Sequence, residues 1–376
     1  MPRTFLFETR GGAELGEFQH TSLSWQVQAN TAETVDVTID LNDVVEGSRD
    51  WANAGTPWKH SIAVDVGGRW FGGPILPHDL DGDDGSLRVT ARGLRFLTTG
   101  HRVLPSAALT QSLVTAAGVP DTSLDTSISG FDLGTIGKKL LQQACGWPGW
   151  TDIPIEYHAD RAGTRERTYP AIERKNLEAA LSDLSGVENG PDIRLQLVRT
   201  SPDTFGWVYE SGSEDQPRLQ SATALAWEPA QGSGLRITKD PTQMGSVSWS
   251  EGGRADDTTL VEMLYDPYLV DRGFPLLHLD SDASTNTVDP EVLRAWNGET
   301  LRTARRPWEF WSFRVRTDRS PFPYEYNVGD LIDVVIGTDR DVPGGYIPKG
   351  TYQRRIAGMS GDEEAEWITI TCGEAY

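Results

Sequence analysis

The stretch Trp58–Leu94, WKHSIAVDVGGRWFGGPILPHDLDGDDGSLRVTARGL, decides the fold class. Ile62, Val64 and Val66 alternate with less apolar neighbours, the period of a strand with one buried face. Gly67 and Gly68 join that run to the next, which starts near Trp70, and a two-glycine connection between alternating runs marks a tight hairpin. The turn Gly82-Asp83-Asp84-Gly85 follows, and Leu87, Val89 and Ala91 alternate again beyond it. Towards the N-terminus the same period recurs in Leu23, Trp25 and Val27, and in Val35, Val37, Ile39 and Leu41. Five or six strands between Thr4 and His101, with no helical period among them, predict a small barrel or sandwich over residues 1–104.

Helical spacing first appears after Pro105. Ile136, Leu140, Leu141 and Ala144 share one helix face, with Gly146 and Pro148 as the stop. Asn176 is a suitable N-cap for a second helix that carries Leu177, Ala180, Leu181 and Leu184 on one stripe and ends at Gly186. Ile193, Leu195 and Leu197, then Trp207 and Tyr209, predict a hairpin turning around Ser201 to Thr204. Residues 105–232 therefore read as an α+β domain. Strands resume with Leu235 and Ile237, Val247 and Trp249, and the apolar run Leu260–Leu264. A third helix opens with Asp289 as N-cap and Pro290 at its first position, and its spacing predicts burial of Val292, Leu293 and Trp296. Trp311 to Val315, Leu331–Ile336, Tyr352–Ala357 and Ile368 to Cys372 complete the strands. The expected fold class is mainly β with α+β: two small β-barrel-like domains, at 1–104 and at 233–265 with 305–376, and an α+β domain at 105–232 joined by the helical insertion 266–304.

Composition narrows the function. The 376 residues hold 34 Lys plus Arg against 55 Asp plus Glu, a net charge of −21. A field of that sign repels nucleic acid and anionic membranes rather than binding them. The 39 Gly, 22 Pro and 13 Trp suit many short strands joined by turns. Met1 to Phe7 has no basic segment leading into a long apolar one, so no secretory leader is expected, and no window approaches the roughly 20 apolar residues of a membrane span. Cys145 and Cys372 lie in dissimilar surroundings and are expected as free buried thiols.

No assembled catalytic motif is present, and no catalytic, cofactor-binding or metal-ligating residues are expected. Gly134 to Lys139 imitates a phosphate loop but has Asp132 where a glycine belongs and Lys139 where the Ser or Thr belongs, so it reads as the first turns of a helix. Asp79, Asp81 and Asp83 have the alternate spacing of a calcium loop. Asp84 replaces the required glycine and Thr90 the bidentate Glu, which leaves a solvated turn with at most adventitious Ca²⁺ binding. Asp280 with Asp282, and Asp339 with Asp341, repeat the spacing in shorter form. His20, His60, His78, His101, His158 and His278 are isolated from one another and from cysteine, so zinc is not expected. Cys145 and His158 could form a thiol–base pair, but the end of a helix disfavours thiolate. Three tryptophan pairs, Trp51 and Trp58, Trp147 and Trp150, and Trp308 and Trp311, fit either exposed binding surfaces or core packing.

The order of domains resembles the tail-tip hub proteins of long-tailed bacteriophages, the tail-associated or minor tail proteins with a baseplate-hub-like fold. Trp58 to Leu94 is similar to the first hub barrel, with one strand ending in a Gly73-Pro74-Ile75 turn and another ending in Ala91-Arg92-Gly93-Leu94. Asn176 to Ser185 with Gly190 to Arg194 resembles the helix and strand of the family's α+β domain. Tyr326 to Val334 and Arg355 to Met359 resemble strands of the second barrel. The resemblance implies a non-enzymatic virion protein at the tail tip. It further implies a homotrimer whose β domains form a ring under the tail tube, touching the distal tail and tape-measure proteins and letting DNA pass without specific binding. An acidic channel wall would keep DNA from sticking. The alternative is a host cell-wall hydrolase or carbohydrate-binding tail protein using the tryptophan pairs as sugar platforms.

Overall fold

A computed structural model describes residues 2–187, 189–221, 225–227, 232–255, 258–281, 290–337, 346–364 and 366–374. The chain divides into two compact units, Met1–Leu235 with Phe313–Tyr376, and Arg236–Ser312. It is mainly β, as the spacing predicted.

The first unit opens with β1 (Arg3–Glu8), β2 (Glu14–Phe18), β3 (Ser22–Gln28), β4 (Thr34–Asp40), the short helix α1 (Trp51–Ala54), β5 (His60–Val66), β6 (Arg69–Asp81) and β7 (Ser86–Arg92). Seven strands thus stand where five or six were expected. The pair β1–β2 is hard to see because Glu14–Phe18 buries only Phe18, leaving no apolar alternation. The Gly67-Gly68 hairpin forms as predicted, with φ of 59° and 88°. Trp58, at φ 64°, precedes β5. One expectation is corrected: β6 does not end at Ile75 but runs on to Asp81. Its first half pairs with β5 and its second with β7, with a bulge between Ile75 and His78. The corner depends on Gly72 at φ 133°, where a Cβ would lie 2.0 Å from the Ile62 carbonyl oxygen.

The middle of the chain supplies β8 (Thr126–Phe131), α2 (Leu133–Cys145), β9 (Ile155–Tyr157), β10 (Arg165–Tyr169), α3 (Leu177–Gly186), β11 (Ile193–Ser201) and β12 (Thr204–Ser211). The predicted stripes on α2 and α3 are buried, and the Asn176 side chain accepts a 3.1 Å hydrogen bond from the Ala179 N–H, the expected N-cap. Both helices share a core with β11 and β12, and that core includes Phe5 and Phe7 of β1; Phe7 meets Phe205 at 4.8 Å and Trp207 at 5.7 Å. β13 (Leu225–Trp227) and β14 (Gly232–Asp240) lead towards the second unit.

The second unit holds β15 (Val247–Ala255), β16 (Thr258–Tyr265), β17 (His278–Ser281) and α4 (Pro290–Thr303), with the strands in the order β16-β15-β17. Ser246, Ser248 and Ser250 are buried, and small side chains let the helix approach the sheet; Ser248 hydrogen-bonds Asn297 of α4 at 2.8 Å. The predicted burial of Leu293 is found, but Trp296 is 42% exposed. The buried positions Leu293, Asn297 and Leu301 are four residues apart, and residue 296 falls off that stripe. The side chain of Val292 and the expected cap Asp289 lie outside the described residues.

The chain returns along β18 (Trp308–Arg316), β19 (Leu331–Ile336), β20 (Gly350–Asp362) and β21 (Trp367–Glu374). β20 pairs with β3, Gly361 opposite Trp25, so strands from both ends of the chain join one 13-stranded sheet.

Candidate functional site

The residues that the sequence singles out resolve into structural roles. Gly134–Lys139 lies inside α2, whose cap is Asp132, accepting from the Thr135 N–H at 2.6 Å. Lys138 is buried, donates to the His158 carbonyl at 2.8 Å and pairs with Asp160, so it cannot reach a phosphate. Asp81 accepts from the N–H groups of Asp83 (2.9 Å) and Asp84 (3.3 Å), which makes the acidic stretch a self-bonded turn between β6 and β7. Asp282, Asp339 and Asp341 lie outside the described residues. Among the described residues no three His, Cys, Asp or Glu side chains gather as a metal site. Both cysteines are free, Cys372 buried and Cys145 half-buried, and burial pushes both thiols up. Cys145 and His158 do not pair: Cys145 contacts the Tyr157 hydroxyl at 3.3 Å, and His158 turns to Ser211.

His158 and Ser211 form a cluster that spacing did not reveal, being 53 positions apart. The imidazole Nε2 is 2.9 Å from Ser211 Oγ and Nδ1 is 2.7 Å from the Ala159 carbonyl oxygen. Burial, with Arg161 and Lys138 nearby, holds the imidazole below its usual range. With Nδ1–H donating to that carbonyl, Nε2 accepts the serine proton, the arrangement of a nucleophile and its base. Catalysis also needs space for a substrate. Ser211 is 7% exposed, Arg161 donates to its oxygen at 2.6 Å, and a Cβ on Gly134 would already lie 2.5 Å from Oγ. The cluster therefore fastens the end of β12 to the start of α2.

Each tryptophan pair is divided or turned inward. Trp51 is buried and donates to the Glu46 carbonyl at 3.1 Å, while Trp58 is exposed and stacks on Phe96. Trp147 and Trp150 flank His101 at 5.2 and 4.8 Å. Trp308 is exposed and Trp311 is buried.

A different apolar surface emerges on the second unit. Trp249 is 37% exposed, Val261 49%, Met263 45% and Tyr265 46%. Trp249 is opposite Met263 in the β15–β16 register, and Tyr265 is opposite Val247, so strand alternation places this group on the face opposite Ser248 and Leu264. Contiguous exposed apolar groups of this size mark contact surfaces. The sequence signal was the alternation Val261, Met263, Tyr265 around Glu262 and Leu264, within a stretch that reads as one apolar run.

No protein-family model matches the chain and no curated protein matches it. Solved structures do. The 43 kDa tail protein of prophage MuSo2 from Shewanella oneidensis is 10% identical, with 99% of this chain and 98% of that chain covered and a TM-score of 0.53. The tail protein from Neisseria meningitidis MC58 is 13% identical, covering 99% and 96% with a TM-score of 0.49. Prophage tail protein gp18 from Listeria monocytogenes EGD-e is 10% identical, covering 99% and 94% with a TM-score of 0.48. The first likeness extends over essentially both chains, and by it this chain has a bacteriophage tail-protein fold, as the sequence resemblance implied.

Proposed function

We propose that the chain is a structural virion protein of a long-tailed phage, the hub of the tail tip. The observation that carries this reading is the full-length fold likeness to a prophage tail protein. In this reading three domains, 1–104, 105–232 with the helical insertion 266–304, and 233–265 with 305–376, build each subunit. Three subunits form a ring that joins the tail tube to the tip, contacts the distal tail and tape-measure proteins, and lets the tape measure and DNA through during genome ejection. The net charge of −21 suits a conduit that phosphates must not adhere to. The protein acts by assembly rather than catalysis, and the exposed aromatic face of the second unit suits contact with a neighbouring tail protein.

Electron microscopy and light scattering of the purified protein, with mass spectrometry of purified virions, test this. Ring-shaped trimers and presence in virions are the expected results. A stable dimer with a two-fold interface, or absence from virions, overturns the proposal.

A further inference from the structure

The first unit contains an open cleft of about 450 Å³, within the range of small-ligand sites. Its walls come from distant segments: Arg69 at the start of β6, Arg194 and Gln196 on β11, and Tyr326 and Asp330 before β19. Strand alternation places Arg194 and Gln196 on one face of β11. Arg194 faces Glu210 across the hairpin and is neutralised by it at 2.6 Å.

Charge on these walls is unevenly matched. Asp330 accepts from the N–H groups of Asn327 at 2.6 Å and Ser221 at 2.5 Å. Glu325 accepts from the Phe322 N–H at 2.6 Å. Each carboxylate on the wall therefore already holds donors. Arg69 instead donates only to neutral oxygens, Pro323 O at 3.1 Å and Gln196 Oε1 at 3.3 Å, and has no carboxylate within ion-pair distance among the described residues. Burial and the neighbouring Arg194 push its guanidinium down to about 10, still protonated at neutral pH. Beside it Tyr326 is sealed in the wall, and its hydroxyl has no hydrogen-bond partner. The nearest carboxylates, Asp330 and Glu210, attract the half-buried Arg69 guanidinium but are engaged with other donors, so its charge is only partly compensated.

We propose that the cleft binds a compact oxyanion, a carboxylate or a phosphate group, held by the Arg69 guanidinium. The planar fork of arginine suits two oxygens of one anion. The anion would neutralise Arg69 and relieve its repulsion from Arg194. Asp330 and Glu210, already occupied, would restrict the site to a small group rather than an extended polyanion.

The test titrates the full chain with sodium phosphate, and separately with sodium acetate, at constant ionic strength set by sodium chloride, while the arginine Nε–H signals are followed by NMR. A saturable shift of the Arg69 signal with a dissociation constant near the millimolar range is expected. Arg69→Gln should weaken binding about tenfold, the loss of one charge-assisted contact. Arg69→Lys, which keeps the charge but loses the planar fork, should weaken it several-fold and guards against the first variant failing to fold. Saturation by phosphate alone assigns a phosphorylated ligand, and saturation by acetate assigns an acidic side chain or chain terminus of a partner. Shifts that merely follow ionic strength, or affinities unchanged in both folded variants, overturn the proposal.

Discussion

Asp192 and Arg355, 163 positions apart in the sequence, form an ion pair that is mostly hidden from solvent. The pair ties the start of β11 to β20. The same carboxylate accepts from Asn30 Nδ2 at 3.1 Å and from the Leu219 N–H at 2.9 Å, and Arg355 also donates to the Gly329 carbonyl at 3.1 Å. Three segments distant from Asp192 in the sequence, at Asn30, Leu219 and Arg355, thus meet on one carboxylate. Removing one side of a buried pair strands the other, at about 3–5 kcal/mol. Asp192→Ala should lose that much in urea unfolding, and Asp192→Ala with Arg355→Met should lose less than the sum of the single changes. Strict additivity would mean that the two residues contribute independently.

Glu33 gives the first unit a pH dependence of defined sign. It is buried beside Gly93, where a Cβ would sit 1.7 Å from its Oε2, and burial raises its carboxyl to about 7, only partly offset by Arg194 and Arg95. The folded state therefore holds a proton that the unfolded chain releases near its ordinary value of 4.5. Stability on this account is complete below the unfolded value, declines as pH rises to about 7, and is constant above it. Glu33→Gln should be more stable than the parent by up to about 3 kcal/mol at pH 8, with the advantage vanishing near pH 4.5. Thermal melts across pH check this, and an advantage independent of pH would refute it.

These two carboxylates mark where the sequence stops being legible. Strands with an apolar period, the Gly67-Gly68 hairpin and the Asn176 cap are local signals, and they can be read because residues two to four apart decide them. The edge strand Glu14–Phe18 lacked such a signal because only one of its residues is buried. The continuation of β6 past Ile75 was masked by Gly72, Gly73 and Pro74, which read as a turn but bend a strand between two partners. The cleft could not be read at all: Arg69, Arg194 and Tyr326 are each ordinary in their own segment, and only the folded chain leaves Arg69 with no carboxylate at ion-pair distance among the described residues.

Gly361 and Trp25 illustrate a contact with no tolerance. They face each other across β20 and β3, and the buried indole is stacked on Phe71 at 4.3 Å with the planes 13° apart. A Cβ on Gly361 would lie 2.7 Å from the indole nitrogen and 2.8 Å from two ring carbons. With Phe71 behind it the ring has nowhere to retreat, so Gly361→Ala should cost about 1–3 kcal/mol, as overpacking does. A drop in melting temperature together with a changed near-ultraviolet tryptophan signal is expected. An unchanged melt would show that the sheet yields at this crossing.

The two faces of β15 and β16 should separate folding from assembly. Under α4, Leu293 is fully buried, and Leu293→Ala should cost about 2–5 kcal/mol by leaving a cavity. On the opposite face Trp249 and Met263 are partly exposed and adjacent in register, so Trp249→Ser or Met263→Ser should change stability by less than about 1 kcal/mol. If the chain is a tail protein, as proposed, and that face meets a neighbour in the tail, these same substitutions should sharply reduce incorporation into particles, because truncating central aromatic and Met contacts removes much of an interface's energy. Complementation with each variant, scored by tail assembly and by melting temperature, distinguishes the outcomes. Loss of assembly with unchanged melting assigns the face to a partner, whereas loss of both would make it part of the fold, and loss of neither would leave assembly to other surfaces of the chain.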